Sequence, residues 1–141
     1  IYRDKVEYII NQVQKYGAVR LKQHQFFYKK NYLWKNKDWK SAIAAYYGAI
    51  HPKYPNNWRD LGHITEEFVG AHFSWCMTPK EMVYKLHTYS HPRYRFLADE
   101  KILTEAIENK QYPFDNKTSF DIEEISVNDT KLPKSMRGKD D

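Results

Sequence analysis

The apolar residues near the start of the chain follow two different periods in succession, and this order restricts the fold. Within residues 4–16 they recur every three or four positions, which predicts an amphipathic helix. The positions that show this period are Val6, Ile9, Ile10 and Val13. Gly17 follows as a helix stop signal, and residues 18–28 then alternate between polar and apolar side chains, which predicts a half-buried strand. The chain is therefore expected to begin with a helix that leads directly into a half-buried strand.

The middle of the chain is divided into shorter segments by proline and glycine. Residues 29–38 are polar and predict a loop, whereas residues 39–50 and 61–75 predict strands. A helix is predicted to begin at Thr78-Pro79, where a hydroxyl at the cap position precedes a proline in the first turn. A further helix is predicted over residues 93–109. Two helices are therefore expected to follow two or three strands.

The last part of the chain has a different composition. Apolar residues become sparse after Pro113, and residues 131–141 are mostly charged. The sequence of 141 residues, 41% of them hydrophobic, suits one ordinary domain. We expect a folded region over residues 1–115 and an irregular, partly disordered tail over residues 116–141.

Charge and cysteine content exclude several classes of protein. The formal charge of +5 is spread along the chain, whereas a nucleic-acid-binding protein would concentrate it on one face, so no nucleic-acid partner is expected. A single cysteine, Cys76, excludes an internal disulfide and a cysteine zinc cluster. No window reaches the ~18 apolar residues of a membrane span. The 12 tyrosines suit carbohydrate binding, and they equally suit a genome rich in A and T.

The segment with the most specific pattern is Gly70-Ala-His-Phe-Ser-Trp-Cys-Met-Thr-Pro-Lys-Glu81. It places the imidazole of His72 and the hydroxyl of Ser74 at the end of a predicted strand, opposite the start of a predicted helix. Free N–H groups at a helix start favour anions. The segment therefore predicts a corner that can bind phosphate.

This segment resembles the C-terminal signature of glycosyltransferase family 17, the β-1,4-mannosyl-glycoprotein 4-β-N-acetylglucosaminyltransferases. Three other parts of the chain resemble that family in the same order, so that the resemblance covers residues 1–115. They are Val19-Arg-Leu21 with Gln25-Phe-Phe-Tyr28, then Tyr89-Ser-His-Pro-Arg-Tyr94, then Asp99-Glu-Lys101.

The resemblance implies a fold and a reaction. The fold would be α/β, the C-terminal half of a GT-A-like nucleotide-diphospho-sugar transferase with a mixed sheet and covering helices. The reaction would transfer N-acetylglucosamine or a related sugar from a UDP-sugar donor to a hydroxyl of a glycan or glycoprotein acceptor, with inversion. A divalent metal, Mn²⁺ or Mg²⁺, would be bound mainly by an Asp-x-Asp motif in an N-terminal half upstream of Ile1. The compartment would be the Golgi lumen in a eukaryote and the cytoplasm in a microbe or virus.

The resemblance also suggests roles for individual residues. His72 would bind the metal or the donor diphosphate, with Ser74 beside it, although a structural histidine bonded to backbone is an equal alternative. The proton of the acceptor hydroxyl would pass to a carboxylate, and the candidates are Asp99, Glu100 and Glu66. For Asp99 and Glu100 a helix-dipole role is the alternative, and for Glu66 an exposed strand charge.

Aromatic residues would hold the acceptor sugar. The candidates are Trp75, Tyr28 and Trp39, together with Trp58. Core packing is the alternative for at least half of them. The alternative function for the whole chain is a non-catalytic carbohydrate-binding or protein-interaction module.

Overall fold

The computed structural model describes residues 1–46, 48, 59–60, 62–88 and 92–138, which form a mixed α/β fold. The helices are α1 (Val6–Tyr16), α2 (Pro79–Thr88) and α3 (Glu100–Glu108). The strands are β1 (Ala18–Phe27), β2 (Tyr32–Ala45), β3 (His63–Ile64), β4 (Gly70–Ser74) and β5 (Ile122–Glu124). Short 3-10 turns span Arg3–Lys5, Pro92–Leu97 and Lys134–Met136. The α/β class predicted from the sequence is confirmed.

All five strands belong to one mixed sheet with β1 at its centre. One edge of β1 pairs antiparallel with β2, which in turn pairs antiparallel with β5. The other edge of β1 pairs in parallel with β3 and then with β4. Strand β1 therefore joins the hairpin on one side to the returning chain on the other.

The first helix and the first strand form where the sequence predicts them. Helix α1 ends because Gly17 adopts a φ of 77° and donates its N–H to the carbonyl oxygen of Val13 at 2.8 Å. In β1 every second residue from Val19 is buried, as the alternation predicts. Both predictions are confirmed.

The predicted loop at residues 29–38 and the predicted single helix at residues 93–109 are wrong. Strand β2 already begins at Tyr32, because Leu33 and Trp34 pack into the core before the charged residues start. The second helix is divided at Asp99, whose extended backbone and side-chain cap begin α3 anew after the 3-10 turn. The end of the strand predicted over residues 39–50 lies outside the described residues.

The residues after 115 pack against the rest of the protein. Strand β5 extends the sheet, and Ile125 and Leu132 are buried with Phe26 of β1. Leu132 is completely inaccessible to solvent. The sequence gives little indication of this packing, since only isolated apolar residues interrupt the polar stretch after residue 115. The proposed division at residue 115 stays a prediction.

Two further groups of buried residues cover the other face of the sheet. Helix α1 packs through Ile9 and Val13 against Val19 and Leu21. Helices α2 and α3 pack against Phe27 at the opposite end of β1 in a second, aromatic-rich core. Between these two cores, β1 presents Gln23 and Gln25 on the same face.

Replacing Leu132 with Ala should lower the free energy of unfolding by about 2–5 kcal/mol, because it empties a fully buried site between the C-terminal segment and β1. The measurement is chemical denaturation of the parent and the variant. The matched control is Ile102→Ala, at a side chain that is 44% exposed, for which a change within about 0.5 kcal/mol is expected. Equal effects of the two substitutions would mean that the C-terminal segment does not stabilise the fold.

Candidate functional site

A cavity of about 470 Å³ opens on the face of the sheet between the two cores. We name it the tryptophan cleft. Its floor is formed by β1, β2 and β4, and its walls come from α2, the Pro92–Leu97 turn and the segment after α3. The residues that line it are Gln25, Phe27, Trp34, Lys37, Trp39, His72, Phe73, Ser74, Trp75, Lys85, Arg93, Tyr94, Tyr112 and Phe114.

Pairing with β1 brings Trp39 and His72 together. Trp39 lies opposite Gln23 across one edge of β1, and His72 lies opposite Gln25 across the other edge. Their rings stack nearly parallel, with an interplanar angle of 4° and centroids 3.9 Å apart. Two positions 33 residues apart in sequence therefore form one stacked pair in the cleft, in which each ring covers one face of the other.

Ser74 and Trp75 stand where β4 ends. The Ser74 hydroxyl oxygen accepts a hydrogen bond at 3.4 Å from the side-chain amide of Gln25. Trp75 adopts a φ of 57°, in the left-handed region that tryptophan rarely occupies, so packing of its ring must hold the backbone there. The ammonium group of Lys85 lies over that ring, 4.3 Å from its centroid. This bend turns Trp75 towards α2 and leaves Ser74 in the cleft.

The electrostatics of the cleft favour a neutral imidazole. Burial lowers the pKa of His72 below its ordinary value of 6.5, and the nearby charge of Lys85 lowers it further. Burial also lowers the pKa of Lys85. At pH 7 His72 is therefore a neutral side chain that can donate one hydrogen bond and accept another.

The described residues around His72 do not suit a metal site. Within the part of the chain that the structure describes, no three His, Cys, Asp or Glu side chains are grouped as metal ligands. Among those residues, the lining of the cleft includes Lys85 and contains neither Asp nor Glu, so its donor set does not suit Mn²⁺ or Mg²⁺, which prefer carboxylate oxygens. The divalent metal therefore stays a prediction.

The three carboxylates predicted as candidate bases do not line the cleft. Asp99 caps α3, with its Oδ1 atom accepting hydrogen bonds from the N–H groups of Lys101 and Ile102 at 2.8 and 3.1 Å. Glu100 is exposed in the first turn of that helix, and Glu66 is exposed between β3 and β4. The capping role of Asp99 is the alternative that the sequence suggested, and the structure supports it.

The predicted corner at the start of α2 needs correction. The Thr78 N–H donates to the Glu81 carboxylate at 2.8 Å, and the Glu81 N–H donates to the Thr78 hydroxyl at 3.3 Å. This reciprocal capping box satisfies N–H groups that the sequence analysis took to be free, and it places a negative charge there. His72 and Ser74 face the tryptophan cleft, whereas Thr78 and Glu81 line a different cavity.

Three of the four aromatic residues predicted to hold a sugar lie in the described part of the chain, and two of them, Trp39 and Trp75, line the cleft. Trp75 also packs in the aromatic-rich core and is 9% exposed, which is the packing alternative. Tyr28 does not line the cleft. It is 3% exposed, and its hydroxyl donates to the carbonyl oxygen of Gln111 at 2.7 Å, which is the packing alternative. Trp58 and the segment Tyr89-Ser-His91 lie outside the described residues.

Sequence reasoning missed four polar residues of the cleft, namely Gln25, Lys37, Lys85 and Arg93. A signal existed for Gln25, because it and Gln23 continue the inward period that Val19 and Leu21 begin, and they place amides at positions where an apolar residue is expected. A buried amide at such a position needs a hydrogen-bond partner, and the Oε1 atom of Gln25 has none among the described residues. The three cations come from separate elements, and no local pattern connects them.

Comparisons with protein-family models, with curated proteins and with solved structures found no match to this chain. In the described residues, no helix has both the length and the apolar character that crossing a membrane requires. The site is therefore interpreted from its own geometry and from the resemblance carried by its residues.

The His72 imidazole should titrate below pH 6.5, and Lys85→Met should move its pKa upwards, towards the ordinary value, since it removes one of the two causes of the shift. In the parent protein the pKa of His72 is lower in the folded state than in the unfolded state, so the folded state binds fewer protons. The contribution of His72 to stability is therefore present above about pH 6.5 and is lost as the pH falls through the folded pKa. NMR titration of the ring resonances measures both values. A parent pKa at or above 6.5 would contradict this electrostatic description.

Proposed function

We propose that this chain forms the acceptor side of an inverting glycosyltransferase of GT-A-like fold that transfers N-acetylglucosamine or a related sugar from a UDP-sugar to a glycan hydroxyl. The observation that carries the proposal is the convergence of His72, Ser74, Trp39 and Trp75 in the tryptophan cleft. His72, Ser74 and Trp75 belong to the segment that resembles family 17, and Trp39 is an aromatic residue of the kind that contacts sugar rings. Helices α2 and α3 and the mixed sheet are compatible with such a fold.

The cleft offers the contacts that a sugar ring needs. The half-buried indole of Trp39, which stacks on His72 through one face, provides a flat apolar surface against which the C–H face of a pyranose can pack. Ser74, Gln25 and neutral His72 provide hydrogen-bonding groups for hydroxyls around the ring. A volume of about 470 Å³ is within the range of small-molecule sites and exceeds that of one sugar residue.

The reaction divides the catalytic tasks between this chain and the upstream half that we propose. In the transfer, the acceptor oxygen bonds to the anomeric carbon, the bond from that carbon to UDP breaks, and the hydroxyl proton passes to a base. His72 and Ser74 would orient the reacting groups by hydrogen bonds. Since the lining of the cleft contains no carboxylate among the described residues, we place the base and the metal-binding Asp-x-Asp motif upstream.

The lack of a carboxylate among the described residues that line the cleft also favours a second candidate function. A non-catalytic carbohydrate-binding module needs an aromatic face and hydrogen-bonding groups but no base. It would bind a glycan through Trp39 and the polar residues of the cleft without releasing UDP from any donor. Enzyme activity therefore separates the two candidates.

The full-length gene product, incubated with UDP-N-acetylglucosamine, Mn²⁺ and a mannose-containing glycan, should release UDP. His72→Phe keeps a ring beside Trp39 but removes the ring nitrogens, and it should lower turnover by roughly 10²- to 10³-fold. His87→Ala is the control, because His87 is exposed on α2 and does not line the cleft. A coupled assay for UDP measures the rates.

Thermal unfolding of both variants verifies that they are folded. No UDP release with several donors and metals would reject the transferase in favour of the binding module. Unchanged turnover in His72→Phe would keep the transferase proposal but would mean that His72 has only a structural role.

A further inference from the structure

Three basic residues on the tryptophan cleft each lie over an aromatic ring. The ammonium group of Lys37 is 5.5 Å from the ring centroid of Trp34, and that of Lys85 is 4.3 Å from the centroid of Trp75. The guanidinium carbon of Arg93 is 4.7 Å from the centroid of Tyr94. Contact with an aromatic face restricts the position of a long basic side chain without neutralising its charge.

None of these three side chains forms an ion pair with a carboxylate in the described part of the chain. Other lysines of the same sheet do so: Lys35 lies 3.4 Å from Asp121, and Lys40 lies 3.6 Å from Asp38. Among the described residues, no carboxylate therefore pairs with these three cations, and the half-buried Lys85 is screened less by solvent than the exposed Lys37 and Arg93. A negatively charged ligand group would supply the missing partner.

The floor of the cleft adds a second requirement. Gln25 is 4% exposed, its amide nitrogen donates to Ser74, and its Oε1 atom accepts no hydrogen bond from the described residues. A buried oxygen without a donor is unfavourable by about 1–3 kcal/mol. Hydroxyl groups of a ligand, which donate as well as accept, suit a floor made of an amide and a serine hydroxyl.

We propose that the saccharide bound in the tryptophan cleft is anionic, a sugar that carries a phosphate or a carboxylate. Its ring packs on Trp39, and its charged group pairs with Lys85 and Arg93. This inference rests on the proposed function, since it takes the ligand to be the acceptor sugar, and it narrows the acceptor from any mannose-containing glycan to a charged one.

The test compares charged and neutral sugars of the same stereochemistry by isothermal titration calorimetry with the chain. Mannose 6-phosphate should bind roughly 10- to 100-fold more tightly than mannose, as hydrogen bonds to a charged group permit. Comparing the affinities for glucuronate and glucose tests whether a carboxylate strengthens binding as much as a phosphate does. The preference should decrease as salt is raised.

Lys85→Met should reduce the preference for mannose 6-phosphate over mannose at least about tenfold. Methionine retains an unbranched apolar stem that can pack on Trp75. The control is Lys80→Met, at an exposed lysine of the same helix that does not line the cleft. An equal loss in both variants would contradict a local role for Lys85.

Other outcomes overturn the inference. Equal binding of charged and neutral sugars would remove it, and so would equal binding of inorganic phosphate and mannose 6-phosphate. If UDP binds more tightly than mannose 6-phosphate, the basic residues of the cleft bind the donor instead. If a single-stranded oligonucleotide binds more tightly than mannose 6-phosphate, they bind nucleic acid instead.

The inference and the proposed function fail separately. Selective binding of mannose 6-phosphate without UDP release from the full-length product would reject the transferase alone. UDP release with a neutral acceptor and no preference for charge would reject the anionic ligand alone.

Discussion

Hydrogen bonding along both edges of β1 is the constraint on which the rest of the structure depends. The antiparallel hairpin fixes β2 on one edge, and the returning chain adds β3 and β4 in parallel on the other. A shift of one residue in either register would move Trp39 or His72 to the opposite face of the sheet. The stacked pair in the tryptophan cleft therefore exists only because both registers are maintained at once.

The two cores on this face give the cleft its position. Helix α1 covers the start of β1, while α2 and α3 cover its end, and neither core extends over Gln23 and Gln25. The polar residues of an otherwise apolar strand face thus mark the gap between the cores. Aromatic residues of the aromatic-rich core lie beneath basic groups at this gap, and no Asp or Glu is among the described residues that line it.

The sequence predicts the local structure of this protein better than it predicts the site. Helix α1 and strand β1 were predictable, because both have a clear period and Gly17 separates them. Strand β2 was obscured because its register with β1 is irregular between the Asp38 and Leu33 pairings, so that its charged residues look like a loop. Strand β5 has only three residues and no pattern of its own.

Residues of the cleft were predictable as neighbours where one short segment carries them. His72, Ser74 and Trp75 lie close together on β4 and its bend, and all three line the cleft. The candidate bases lie outside the cleft, and Asp99 caps α3. Lys37 and Arg93 reach the cleft from elements distant in sequence, and their convergence depends on tertiary structure alone.

The central claim, that the tryptophan cleft is a saccharide site, is tested most directly by NMR on the chain itself. A sugar ligand added in steps should shift the indole N–H resonances of Trp39 and Trp75 and the ring resonances of His72 together, with one dissociation constant. The backbone amide of Ile10 on α1 should not move. Shifts spread over α1, or saturation that leaves the two indoles unchanged, would contradict the claim.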